Sequence, residues 1–169
     1  MCYHGYLLYN ISLKPTITQP DYLSLKYYHI MENTNVKRKV FIGLGSLQAF
    51  IGLGALAGGF GLVKDPSGSE LGVPLSLLEG SPFPDFLIPG IFLLAVNGVG
   101  SMIGAVLSFT RRRYAQEIAI ILGAILVAWI VIQVVLIRSF SWMHVLYFIL
   151  GLVELGFGLC IRRRRIQAA

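Results

Sequence analysis

The chain has 169 residues, 56% of them hydrophobic and 13% charged. That charged share is about half the roughly 25% of ordinary soluble domains, and the mean hydropathy is +0.73. These figures argue against a soluble enzyme, a disordered tail and a disulfide-stapled secreted module, and for an integral membrane protein built as one small helical bundle. The formal net charge of +6 is expected to anchor cytoplasmic ends rather than to bind nucleic acid. The two cysteines, Cys2 and Cys160, form no CxxC pair, so thiol-redox chemistry has no support.

Residues 1–30 hold six of the eight tyrosines, two of the three histidines and a single acid. They show neither helical nor strand periodicity and no signal-peptide core. Met31 is followed by Glu-Asn-Thr-Asn-Val-Lys-Arg-Lys and then the first apolar stretch, which reads as a short cytoplasmic start. The expectation is that Met31 is the native initiator, that residues 1–35 are a disordered or artefactual extension, and that residues 36–165 form the membrane domain. The sequon Asn10-Ile-Ser12 falls on the expected inner side, so no glycan is expected there.

Four apolar stretches follow, at about residues 40–63, 86–110, 116–137 and 142–161. Each reaches the roughly 20 residues a helix needs to cross a hydrocarbon core of about 30 Å. Backbone polar groups in lipid must be paired within the segment, and no period-two alternation supports strands, so all four are expected to be helices. The fold class read from the sequence is therefore all-α, a four-transmembrane-helix bundle.

Charge placement orients it. Lys14, Lys26, Lys37, Arg38 and Lys39 precede the first span, Arg111, Arg112 and Arg113 separate the second and third, and Arg162 to Arg165 follow the fourth. Lys64 and Arg138 are the other basic residues. The positive-inside rule puts both termini in the cytoplasm of a multi-pass protein of the inner, cytoplasmic membrane. Ser141 is a natural N-cap for the fourth span.

Residues 64–85 form the long outer loop. Asp65-Pro-Ser-Gly68 is a turn signal. Pro74 to Glu79 suits one or two helical turns ended by Gly80, and Asp85 or Ser81 can cap the second span. Leu71, Val73, Leu75, Leu77, Leu78 and Phe83 make the loop too apolar to float, so it is expected to fold back over the mouth of the bundle or to lie in the interface.

Glycine and polar residues fall on stripes. In the first span Gly43, Gly54, Gly58 and Gly61 share one face, with Gly54 and Gly58 forming GxxxG. Gly45, Gln48, Gly52 and Gly59 share the opposite one, so this helix can contact two neighbours or offer a face to a second protomer. In the second span Gly90, Asn97, Gly100, Ser101, Gly104 and Ser108 lie in a narrow arc. In the fourth, His144, Tyr147, Gly151, Glu154 and Gly158 do the same. Trp129 and Gln133 mark the inward side of the third.

Glu154 is the most informative residue. No Lys or Arg within the spans can pair with it, and Gln48 lies at nearly the same depth. An unpaired ionised carboxylate is costly in lipid, so Glu154 is expected either as a neutral acid bonded to Gln48 or a backbone carbonyl, acting as interhelical glue, or as part of a functional path. Candidate binding or path residues are Glu154, Asn97, Gln48, Tyr147, His144 and Ser101, with His144 more naturally a capping or interfacial residue. Candidate packing residues are Gly54, Gly58, Gly100, Gly104, Gly151 and Gly158. No HExxH, GxSxG, P-loop or paired-cysteine motif is present, so no catalytic residue, metal or cofactor is expected.

Several stretches together carry a resemblance: the glycine-rich first span, Lys64-Asp-Pro-Ser-Gly68, Leu71-Gly-Val-Pro74, Leu78 through Pro84 to Gly90, Trp129-Ile-Val-Ile-Gln133, and Tyr147 to Glu154. Over about residues 36–165 the chain resembles an uncharacterised family of small bacterial four-helix integral membrane proteins. That resemblance implies no activity and carries no functional residue across. The functional expectation is a structural or accessory membrane protein acting through helix packing, with membrane lipids and either a second copy or a membrane protein as partners. The alternatives are a small transporter or channel subunit with a polar path around Glu154 and Asn97, and a lipid-binding or lipid-modifying protein.

Overall fold

A computed structural model describes residues 19–137 and 141–166, with side chains described for 38–136 and 141–163. Four helices account for most of it: α1 (Gln19–Lys64), α2 (Leu87–Phe109), α3 (Ala115–Ile137) and α4 (Trp142–Ile166). No strand occurs among the described residues. Each helix contains a segment long and apolar enough to cross a membrane: Arg38–Lys64, Leu87–Phe109, Ala115–Leu136 and Trp142–Arg163. The chain is thus an all-helical, multi-pass membrane protein, and the four segments match the sequence-derived spans to within a few residues.

The chain divides into two units, residues 1–40 and 41–169. In the first, the sequence predicts a disordered or artefactual extension over residues 1–35, but α1 begins at Gln19. Pro20 stands in the first turn, where its missing N–H is no loss. Leu23, Tyr27, Ile30 and Met31 fall at i, i+4, i+7 and i+8 in it, a pattern too short and too mixed with tyrosines and polar residues to mark a helix by periodicity alone. Residues 1–18, including the sequon, lie outside the described residues, as do residues 138–140 of the second hairpin.

In the second unit the outward surface is apolar: Phe50, Leu53, Phe60, Ile103, Val106, Ile121, Val135 and Ile149 are all exposed, as suits side chains that face lipid. The buried set is mixed. Leu44, Ile51, Ala55, Ala105, Ala119, Leu126 and Ile130 are buried beside Gln48, Asn97, Ser101, Ser108 and Glu154.

Small residues set the helix spacing. Both glycine faces of α1 are used inside the unit. A Cβ at Gly59 would lie 2.6 Å from the Leu94 nitrogen of α2, and one at Gly45 2.8 Å from the Phe109 ring. On the other face, a Cβ at Gly54 would strike the Tyr147 hydroxyl of α4. Helices α3 and α4 meet as closely, since a Cβ at Gly123 would lie 2.7 Å from the Leu155 nitrogen, and one at Gly158 2.7 Å from Ile120. Such approaches let dispersion contacts hold helices together in lipid, where no hydrophobic driving force separates helix from solvent.

Helix α2 is not regular. Leu93–Val99 forms a π-helical segment, so one wider turn sits near the middle of the span, with Asn97 and Gly98 both buried within it. Such turns are uncommon and concentrate at functional sites.

The loop between α1 and α2 is ordered by its own polar groups. Asp65 accepts from the Ser67 hydroxyl (2.6 Å), the Ser69 hydroxyl (2.7 Å) and the Glu70 amide (2.9 Å). Lys64 pairs with Glu70 at 2.9 Å. Gly68 adopts φ 75°, the left-handed region that favours glycine, and a Cβ there would also strike the Val73 carbonyl. The Phe86 amide donates to the Pro66 carbonyl (2.9 Å), closing the loop on itself. Pro74 precedes a single 3₁₀ turn, Leu75–Leu78, and Gly80 follows at φ 83°. Asp85 caps α2 through the Leu87 amide (2.9 Å).

Candidate functional site

Two polar features lie within the spans. The first is a three-helix clasp. The Ser108 hydroxyl of α2 donates to Gln48 Oε1 of α1 at 2.7 Å, and Gln48 Nε2 donates to Glu154 Oε1 of α4 at 2.9 Å. All three residues have 0% exposure. The Gln48 amide suits this position because it offers an acceptor to one neighbour and a donor to the other. Gly104, one turn before Ser108, makes room for it: a Cβ there would lie 2.8 Å from Gln48 Nε2. The clasp is bracketed along α1 by Leu44 and Ile51, both at 0% exposure. Glu154 Oε2 is buried without a hydrogen-bond partner.

The second feature is a cavity of about 370 Å³ between the loop and the upper parts of the four helices. It lies within the about 300–1,000 Å³ range of ligand pockets. Its wall is mostly apolar, from Ile51, Leu62, Leu93, Leu126, Ile130 and Leu136, with Leu71, Val73, Leu77, Leu78, Phe83 and Phe86 contributed by the loop and its end. The loop thus folds back onto the helices. Gly54 and Gly58 also line the cavity, as do Asn97, Trp129, Gln133, His144 and Tyr147. Asn97 lies ten residues into α2, about 15 Å at 1.5 Å per residue, hence near mid-span. It is 1% exposed, and its Nδ2 has no hydrogen-bond partner; nor has the buried Trp129 Nε1. The Trp129 indole is held by stacking on Phe92, with ring centroids 4.2 Å apart.

The sequence-derived residues therefore separate into groups. Glu154 and Gln48 meet in the clasp, with Ser108, which the sequence places on the polar arc of α2 without marking it as a binding or path residue. Asn97, Tyr147 and His144 stand around the cavity. Ser101 is buried between the two levels. His144 serves as a cap: its Nδ1 accepts from the Ser141 amide (3.1 Å), while the Ser141 hydroxyl accepts from the Met143 amide (3.4 Å). The His144 arm matches that of a capping box, with histidine in the place of Glu or Gln, while the Ser141 hydroxyl takes the amide one residue earlier, that of Met143. Gly151 and Gly158 face α3 rather than sharing the Glu154 face: their nearest neighbours are Val127 and Ile120. Gly100 faces Leu122 of α3. Trp129 was read only as an inward marker, and the cavity itself had no sequence signal.

No cluster of three or more His, Cys, Asp or Glu that could hold a metal occurs among the described residues. In comparisons with known proteins, no family model matches the chain, and neither a curated protein nor a solved structure matches it.

Proposed function

We propose that the protein is a structural or accessory membrane protein, non-enzymatic, that works as a clasped helical scaffold rather than as a conduit. The observation that carries this reading is the enclosure of the clasp. Ser108, Gln48 and Glu154 bond to one another at 0% exposure, between Leu44 and Ile51 at the same exposure. A transport path needs a continuous polar lining, and this polar cluster is walled off by aliphatic side chains. Interhelical hydrogen bonds of this kind hold helix register in lipid.

The test is reconstitution of the wild type and Glu154→Gln in liposomes carrying a pH-sensitive dye. The expected result is no proton flux above empty liposomes from either. Flux from the wild type that Glu154→Gln abolishes, with the fold intact, would replace this reading with transport.

The proposed setting is the cytoplasmic membrane of a bacterium, with both termini inside and the long loop outside. Supporting it, 12 of the 14 Lys and Arg fall before the first span, in the α2–α3 hairpin or after the fourth span, and such bias sets orientation. A fluorescent protein fused after Ala169 is expected to be bright, and an alkaline phosphatase fused there inactive. The reverse pattern would invert the topology.

A further inference from the structure

We propose that the loop-covered cavity holds one acyl chain of a membrane phospholipid, drawn from the leaflet on the loop's side. Three observations combine. The first is length. The wall begins at the loop and reaches Asn97 on α2 and Leu126 on α3. These lie ten and eleven residues from the loop-side ends of their helices, Leu87 and Ile137, about 15 Å at 1.5 Å per residue. That is half of a hydrocarbon core of about 30 Å, the depth of one leaflet. The volume of about 370 Å³ holds about twelve groups of about 30 Å³ each, the scale of a single chain.

The second observation is the order of chemistry along the cavity. The deeper wall is aliphatic, from Ile51, Leu93, Leu126 and Ile130. Asn97 and Trp129 keep their side-chain N–H groups out of the space, since both atoms are buried from a water-sized probe. Gln133, Ser141 and His144 lie at the loop-side end, within about a turn of where α3 ends and α4 begins. Apolar at depth and polar toward the loop is the order of an acyl chain and its ester end. Water needs two to four polar partners, which the deeper wall does not offer, and an empty space forfeits dispersion contacts. A hydrocarbon chain restores those contacts and needs no hydrogen bond. The third observation is access. Ile132 of α3 and Met143 of α4 belong both to the wall and to the exposed apolar surface, at 49% and 51% exposure. The cavity is therefore continuous with the surface that lipid chains cover. The site is distinct from the clasp and does not depend on the scaffold reading.

The test uses the full-length protein, delipidated in detergent, with Trp142, 72% exposed, replaced by Phe so that Trp129 of the wall reports. Phosphatidylglycerol with one chain dibrominated at its middle is titrated in, because bromine quenches indole emission on contact. A chain seated in the cavity gives saturable quenching, whereas lipid around the outside gives quenching that rises linearly with its share of the micelle. Gly58→Leu is the filling variant. A Cβ at Gly58, in the wall, would meet only Leu93, at the ordinary contact distance of 3.5 Å, so leucine there grows into the cavity. Saturable quenching is expected, with half-saturation about tenfold weaker in Gly58→Leu, the loss of about ten atom contacts. Hexadecane, a chain without a headgroup, is expected to relieve the quenching. Linear quenching alone, unchanged half-saturation in a folded Gly58→Leu protein, or quenching that hexadecane does not relieve would each overturn the proposal. Should Gly58→Leu fail to fold, the hexadecane competition on the otherwise native chain decides.

Discussion

Gln48 and Glu154, 106 positions apart, meet through a 2.9 Å hydrogen bond in which the amide nitrogen donates to the carboxyl oxygen. Gln48 spends its other end on Ser108, so a single side chain of α1 ties the second helix to the fourth. Removing Glu154 would leave a buried donor unmade. Glu154→Leu is expected to cost about 1–2 kcal/mol of stability, read as a lower midpoint in detergent unfolding. Glu154→Gln, which keeps an acceptor at the same reach, should cost less than about 1 kcal/mol. Equal losses in the two variants would remove the clasp from the account of stability.

The Gly54 contact sets a second expectation. A Cβ at Gly54 would strike the Tyr147 hydroxyl, so Gly54→Ala should destabilise by about 1–3 kcal/mol. Tyr147→Phe removes the struck atom and should recover most of that loss in a double-mutant cycle. The GxxxG pair Gly54 and Gly58 thus serves the monomer. Leucine at both positions is expected to lower stability while leaving the oligomeric state in detergent unchanged, as followed by light scattering.

Asp65 organises the loop. The hydroxyl of Ser67, the amide of Glu70 and the hydroxyl of Ser69 all bond its carboxylate, which holds its pKa well below the ordinary value of 3.8. A depressed native pKa means that the stabilisation is complete above the ordinary value and is lost as pH falls below it toward the native one. Hydrogen exchange of the Ser67 and Glu70 amides should therefore stay slow, relative to intrinsic rates, from pH 8 to about pH 4. Asp65→Ala should expose both amides across that whole range. Protection unchanged in Asp65→Ala would show that the Asp65 carboxylate does not hold these amides.

At the start of α4 the Ser141 hydroxyl caps the Met143 amide, and His144 Nδ1 accepts from the Ser141 amide. Ser141→Ala is expected to cost about 1 kcal/mol, and Ser141→Asp to retain most of it. Thermal unfolding of the two variants against the wild type checks this, and equal loss would deny the cap.

Much of this protein is legible without coordinates. A run of about 20 apolar residues has one solution in lipid, a helix, and so the four spans, Ser141 and Asp85 as caps, and Gly68 and Gly80 as turn points could all be read in order. Gln48 was one of the partners that the depths of the polar residues allowed for Glu154. The helix over residues 19–35 is not legible in the sequence because its apolar positions, Leu23, Tyr27, Ile30 and Met31, span barely two turns among residues of low helical propensity.

By itself the sequence determined an all-helical chain with four membrane-crossing segments, since hydropathy and length act locally and need no partner. The tertiary structure decided which glycine face meets which helix, that Gly151 and Gly158 serve α3 while Glu154 serves α1, and that α2 opens a π turn at Asn97. The reason is that these depend on how four surfaces interlock, where all-round apolar helices give no preferred rotation and a single added Cβ changes which approach is possible. The 56% hydrophobic content marked a membrane bundle; only packing divided its few polar groups between a buried clasp and the wall of a cavity.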